Sequence, residues 1–130
     1  MAENTSRLTG SAPVLLVADV VKSANYFRDQ LGFTYERFWG EPPDFCMVQR
    51  DGLVVMLALA PPGASLIPHW KVVDRMWNAY FWCDDAEGLY AEFVRRGARI
   101  DYGLGVKHYG IKEFGIQDLD GNDIAFGQRI

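Results

Sequence analysis

The second half of the chain repeats the first, element by element. An Asp, a helical run and a closing Gly occur at Asp19 to Gly32 and again at Asp85 to Gly97, the two Asp being 66 positions apart and the two Gly 65. In the first copy Ala12 to Ala18 is a short apolar strand, and Val20, Ala24, Phe27 and Leu31 follow at helical spacing. Asp19 can accept a bond from an orphan amide of the first turn, and Gly32 suits the left-handed residue that ends a helix. In the second copy a strand from Asn78 to Cys83 leads to a helix from Ala86 to Arg96, with Leu89, Tyr90, Phe93 and Val94 inward. Asp84 or Asp85 caps it and Gly97 ends it.

Three strand-like runs follow each helix. After the first come Phe33 to Trp39, then Asp44 to Arg50 and Leu53 to Leu59 joined by Asp51-Gly52, a dipeptide that favours a type I′ hairpin. A two-residue turn sets Gln49 opposite Val54, Met47 opposite Met56 and Phe45 opposite Ala58 on one face, with Cys46, Val48, Val55 and Leu57 on the other. After the second helix come Ala98 to Leu104, Lys112 to Gln117 and Asn122 to Gln128, the last two separated by Asp120-Gly121. The order βαβββ therefore occurs twice, an α+β plan of two modules at about 12–60 and 77–129. A linker containing Pro61, Pro62, Gly63 and Pro68 joins them.

With 130 residues, 49% of them apolar, the chain suits one domain over 1–130 that needs no disulfide or metal to hold it. Cys46 and Cys83 sit in apolar strand-like runs without CxxC spacing, which reads as buried free thiols. Met1 to Ala12 lacks the basic start and apolar run of an export signal, and no stretch approaches the roughly 20 apolar residues of a membrane span. A cytoplasmic protein is expected. A net charge of -4 without a basic cluster argues against nucleic acid as a partner.

Certain residues carry a resemblance to a known family. Asp19, Ser23, Tyr26, Phe27, Leu31, Gly32 and Phe33 match D-x-x-x-S-x-x-[FY]-[FY]-x-x-x-L-G-F, which resembles the first module of vicinal-oxygen-chelate proteins. This superfamily comprises glyoxalases, bleomycin-resistance proteins and extradiol dioxygenases. Glu113-Phe114 with Asp118, Asp120, Gly121 and Asn122 looks like the E-F-x-x-x-D-P-D-G-N stretch of the second module, with Leu119 where proline is usual. The run from Cys83 to Ala98 is similar to that module's strand end and helix. The resemblance implies two modules with curved mixed sheets around a cleft, helices on the outer faces, and a homodimer whose partners share the cleft walls.

The resemblance also implies where a metal would sit. Metal-dependent members hold a divalent ion with His and Glu side chains that face the cleft, and it polarises vicinal oxygens of the substrate. Counting from the matched motifs, those positions fall on Ala12, Asn78 and Ala125, with a fourth on Met56. Alanine has no lone pair, the Asn amide is a weak ligand, and a thioether does not suit a hard ion. His69 and His108 lie in separate loops and form no cluster by spacing. No metal and no cofactor are expected, and no nucleophilic triad, carboxylate pair or phosphate loop offers a replacement.

Strand parity puts Asn78, Tyr80 and Trp82 on one face. Because the resemblance sets Asn78 at a ligand position, it implies that this face lines the cleft, joined by Phe45, Met47 and Met56 from the first module and by Glu113 and Asp123 at the edge. These eight are the expected ligand-binding residues. A metal-free aromatic cleft resembles that of bleomycin-resistance-like proteins. The leading expectation is thus a small-molecule binding or antibiotic-resistance protein that sequesters a flat aromatic or cationic compound. An enzyme of the superfamily, a lyase, isomerase or dioxygenase using non-standard residues, is the alternative. A dimer whose cleft is filled by its own side chains is a third.

Overall fold

The computed structural model describes residues 5–130; the first four residues of the polar N-terminal stretch lie outside the described residues. The elements run β1 (Val14–Val17), α1 (Val20–Leu31), β2 (Phe38–Trp39), β3 (Phe45–Arg50), β4 (Leu53–Leu59), a 3-10 turn (His69–Lys71), β5 (Ala79–Trp82), α2 (Ala86–Arg96), β6 (Arg99–Val106), β7 (Ile111–Gln117) and β8 (Asp123–Arg129). They form two open four-stranded mixed sheets, ordered β1-β4-β3-β2 and β5-β8-β7-β6. In each, the first strand pairs parallel with the last and the other pairings are antiparallel. The doubled βαβββ plan is thus the architecture.

Local chemistry fixes both helices as expected. Asp19 accepts from the Lys22 amide and Asp85 from the Gly88 amide, while Gly32 and Gly97 end the helices at φ 72 and 80. Asp51 and Gly52 adopt the positive φ of a type I′ turn, and the β3–β4 register is the one that turn dictates, Met47 opposite Met56. Two features differ from the sequence reading. Phe33 to Trp39 yields only the two-residue β2 and an isolated Thr34–Gln49 bridge. Val94, placed inward by helical spacing, is exposed at the flank of α2, where Phe93 alone reaches full burial besides Ala86.

One core serves both modules. Phe27 and Leu31 of α1, Val48 of β3 and Leu57 of β4 cluster with Phe93 of α2, Phe114 of β7 and Ile124 of β8. Phe93, Phe114 and Phe126 meet with ring centroids 5.1 to 5.8 Å apart, at separations that favour edge contacts and offset stacks. The helix-covered faces of the two sheets therefore supply the core, and the opposite faces lie outside it. Cys46 and Cys83 are free thiols, the first buried and the second partly so. No helix is long and apolar enough to cross a membrane.

Polar ties lock the modules together. The Tyr26 hydroxyl on α1 donates to the Gln117 carbonyl at 2.7 Å and accepts from the Arg99 amide at 3.0 Å. Arg50 at the end of β3 grips Glu92 on α2 through both terminal nitrogens, at 2.8 and 2.9 Å, and Arg96 adds a third contact. The Arg50 hydrogen bond, ahead of that from Arg96, pulls the Glu92 carboxyl down to about 2. A depressed carboxyl stabilises the fold above the unfolded value of about 4.3, and the contribution is lost as pH falls towards 2. Glu92→Gln should cost about 2 to 3 kcal/mol at pH 7 and flatten the stability profile between about pH 4 and pH 2, read by urea denaturation across that range.

Candidate functional site

The outward face of the second sheet carries a buried carboxylate surrounded by phenols. β7 alternates so that Phe114 and Ile116 enter the core while Glu113, Gly115 and Gln117 face the other way. Glu113 is only 1% exposed. The hydroxyl of Tyr80 donates to its Oε1 at 2.7 Å, that of Tyr102 to Oε2 at 2.5 Å, and that of Tyr109 reaches both oxygens at 2.9 Å. The Trp77 indole N–H donates in turn to the Tyr102 oxygen at 2.9 Å. Both Glu113 oxygens thus act as acceptors in a network that is satisfied throughout, the condition under which a buried polar cluster is rigid.

The phenols stay protonated because burial, then the bond to Glu113, pushes Tyr80, Tyr102 and Tyr109 upward, Tyr109 to about 12. Two glycines make the arrangement fit. A Cβ at Gly127 would run into the Tyr80 hydroxyl, and one at Gly115 into the Tyr102 ring. Both tyrosines lie across bare backbone, a close approach that only glycine allows here.

Beside this cage opens a cavity of about 580 Å³. Trp77, Tyr102 and Tyr109 form its aromatic wall, and Asp101, Glu113 and Asp123 its acidic side. Arg75, Lys107 and His108 complete it, with the Lys107 ammonium 4.7 Å from the Tyr102 ring centroid. Burial first, then the neighbouring Asp101, raises the Asp123 carboxyl to about 6. An electron-rich wall facing clustered carboxyl groups suits a planar or cationic guest. A second cavity, about 390 Å³, lies on the helix side near Cys83 and Leu89. Of its charged residues Arg50 and Glu92 are already spent on each other, and Asp51, Asp84 and Asp85 also line it.

The expected ligand residues divide between these places. Glu113 and Asp123 line the 580 Å³ cavity. Tyr80 stands behind it, bonded to Glu113 and in edge contact with Trp77 at 4.8 Å. Trp82 extends that aromatic row outward, half-exposed, beneath the Arg129 guanidinium at 4.0 Å. Asn78 turns its amide oxygen to the His69 N–H at 3.1 Å and so holds the linker turn. Phe45, Met47 and Met56 share the outward face of the other sheet, to which no strand of the second sheet is hydrogen-bonded.

Sequence reasoning passed over Trp77, Asp101, Tyr102 and Tyr109 as site residues. The pairing of β6 with β7 shifts register between Ile100 and Tyr102 and again before Gly105. The first shift lets the consecutive residues Asp101 and Tyr102 line one cavity, as a bulge does and regular alternation cannot. Gly103 and Gly105 within the run were the available signal of irregular pairing.

Residues 11–126 match the model of the Glyoxalase/Bleomycin resistance protein/Dioxygenase superfamily. The chain belongs to this superfamily. Among solved structures, the superfamily fold is shared with the bleomycin-binding protein of Streptomyces verticillus complexed with copper(II)-bleomycin, at 24% identity and TM-score 0.73, over 97% of this chain and all of that one. A glyoxalase-related enzyme from Clostridium phytofermentans is similar at 17% identity and TM-score 0.75, over 98% of this chain and 100% of that one. TnmS3, an antibiotic-binding protein from a Streptomyces species, is similar at 19% identity and TM-score 0.71, with the same coverage. No curated protein sequence matches.

A divalent ion of the kind that metal-dependent superfamily members use does not fit this site. Ala125 is buried opposite Tyr80, whose ring reaches over Gly127 into the adjoining space. The Asn78 oxygen is occupied by the His69 amide, and among the described residues no three His, Cys, Asp or Glu side chains converge on a common point.

Proposed function

We propose that this superfamily member binds a flat aromatic or cationic small molecule without metal, as a stoichiometric binding or resistance protein of the cytoplasm. The observation that carries the reading is the Glu113 cage: a buried carboxylate, fixed by three phenols, forms one side of a cavity walled by Trp77, Tyr102 and Tyr109. Its volume, about 580 Å³, is that of a site for a drug-sized ligand. Bleomycin-binding and antibiotic-binding proteins of the same fold support the class of ligand.

The working unit in this reading is a homodimer. Val14 and Leu16 on β1 and Met47 on β3 are 58%, 53% and 38% exposed on the outward face of the first sheet, an apolar surface that a second copy would cover. The binding reading is tested by titrating EDTA-treated protein with planar aromatic cations, bleomycin among them, while following indole fluorescence. A saturable change at one ligand per chain is expected, since Trp77 lies in the cavity wall. Turnover of a compound upon adding metal would overturn the metal-free reading.

A further inference from the structure

Asp123 opens β8 on the outward face, is 4% exposed, and borders the cavity next to the Glu113 cage. Among the described residues no protein donor reaches its Oδ1. A buried acceptor left without a donor is costly, so such a group calls for a partner. Asp101 stands beside it, brought there by the register shift in β6, and the Gln117 amide is the donor shared in this corner, 3.5 Å from Asp101 Oδ1.

The cavity's own cations do not fill the need. Lys107 sits over the Tyr102 ring, Arg75 is extended towards Asp74 at 4.0 Å, and neither forms an ion pair with Asp123. The other groups facing Asp123 add negative charge or none. Asp101 faces it from β6, Glu113 from β7 and Asp118 from the end of β7, with His108 across the cavity.

Resting on the binding reading above, we propose that Asp123, with Asp101 beside it, is the subsite for an N–H-bearing cationic group of the ligand: an ammonium, amidinium or guanidinium. The requirement is for donors as well as charge. An N–H cation satisfies Asp123 Oδ1 and offsets both carboxyl groups, with the charge-assisted bond that a planar amidinium or guanidinium makes best. A quaternary ammonium brings charge but no donor, and a neutral amide brings a donor but no charge. Because the Asp123 carboxyl is raised to about 6, it must release its proton to take the cation, and affinity falls as pH drops through that value.

The test is an NMR titration of the full chain with benzamidine and its neutral isostere benzamide at pH 8 and pH 5, following the indole N–H resonances. Benzamidine should bind wild-type protein at least about ten-fold tighter than benzamide at pH 8, and the preference should shrink at pH 5. Asp123→Asn should abolish both the preference and its pH dependence, and benzyltrimethylammonium should bind no better than benzamide. Equal affinity of wild type for benzamidine and benzamide, or an undiminished preference in Asp123→Asn, would overturn the assignment while leaving the aromatic-binding reading intact. No shift with either compound would overturn both. Should Asp123→Asn fail to fold, Asp101→Asn should cut the preference at least about three-fold, and an unchanged preference there counts against the subsite.

Discussion

Glu113→Ala is expected to abolish ligand binding and to cost the fold about 3 kcal/mol or more. Three phenols and, through Tyr102, one indole N–H are organised around this side chain. Removing it leaves Tyr80 and Tyr102 with hydroxyls that water reaches poorly, each loss weighing about 1 to 3 kcal/mol, and frees both rings to leave the glycines they cover. Glu113→Gln keeps the volume but points an amide donor at phenol donors, so its cost should fall between wild type and alanine. Equilibrium denaturation gives the stability term, and titration of the still-folded Gln variant separates lost binding from lost fold. Full stability and unchanged affinity in Glu113→Ala would mean the cage neither organises the sheet nor touches the guest.

The second large effect concerns assembly. Leu16→Asp should convert the proposed homodimer to a monomer at micromolar concentrations. Leu16 lies on β1 with its side chain away from the core, whereas its neighbours Leu15 and Val17 are buried beneath α1. A charge there leaves the chain's own packing untouched but would sit on the outward apolar face, where burying an unpaired carboxylate against a second copy is strongly unfavourable. Sedimentation should give the mass of two chains for wild type and of one for the variant, with similar thermal stability of the secondary structure. A one-chain mass for wild type over the whole range would remove the dimer from the proposal.

The fold was legible because its determinants are local. Asp19 and Asp85 cap helices in place, Gly32 and Gly97 end them, and Asp51-Gly52 sets a register that carries Phe45, Met47 and Met56 to one face. Parity likewise assigned Glu113 and Asp123 to the face opposite Phe114 and Ile124. The site was less legible because it depends on where strands are irregular. The register shift between Ile100 and Tyr102 in β6 turns Asp101 and Tyr102 to one cavity, and the 109–113 approach of Tyr109 to Glu113 is made by a hairpin loop whose conformation no periodicity encodes. Trp82 shows the limit of parity in the other direction: it has the correct face, yet its half-exposed ring lies under Arg129 and outside the cavity beside Glu113.

Whether the Glu113 cage and its aromatic wall form the binding site is decided by a crystal structure of the protein with a planar aromatic cation that saturates in the titration. The account predicts ligand density against Trp77, Tyr102 and Tyr109, its positive group within about 3 Å of Asp123, and no metal at Asn78 or Ala125. Density in the cavity near Cys83 and Leu89 instead, or a ligand held through a metal ion, would contradict it.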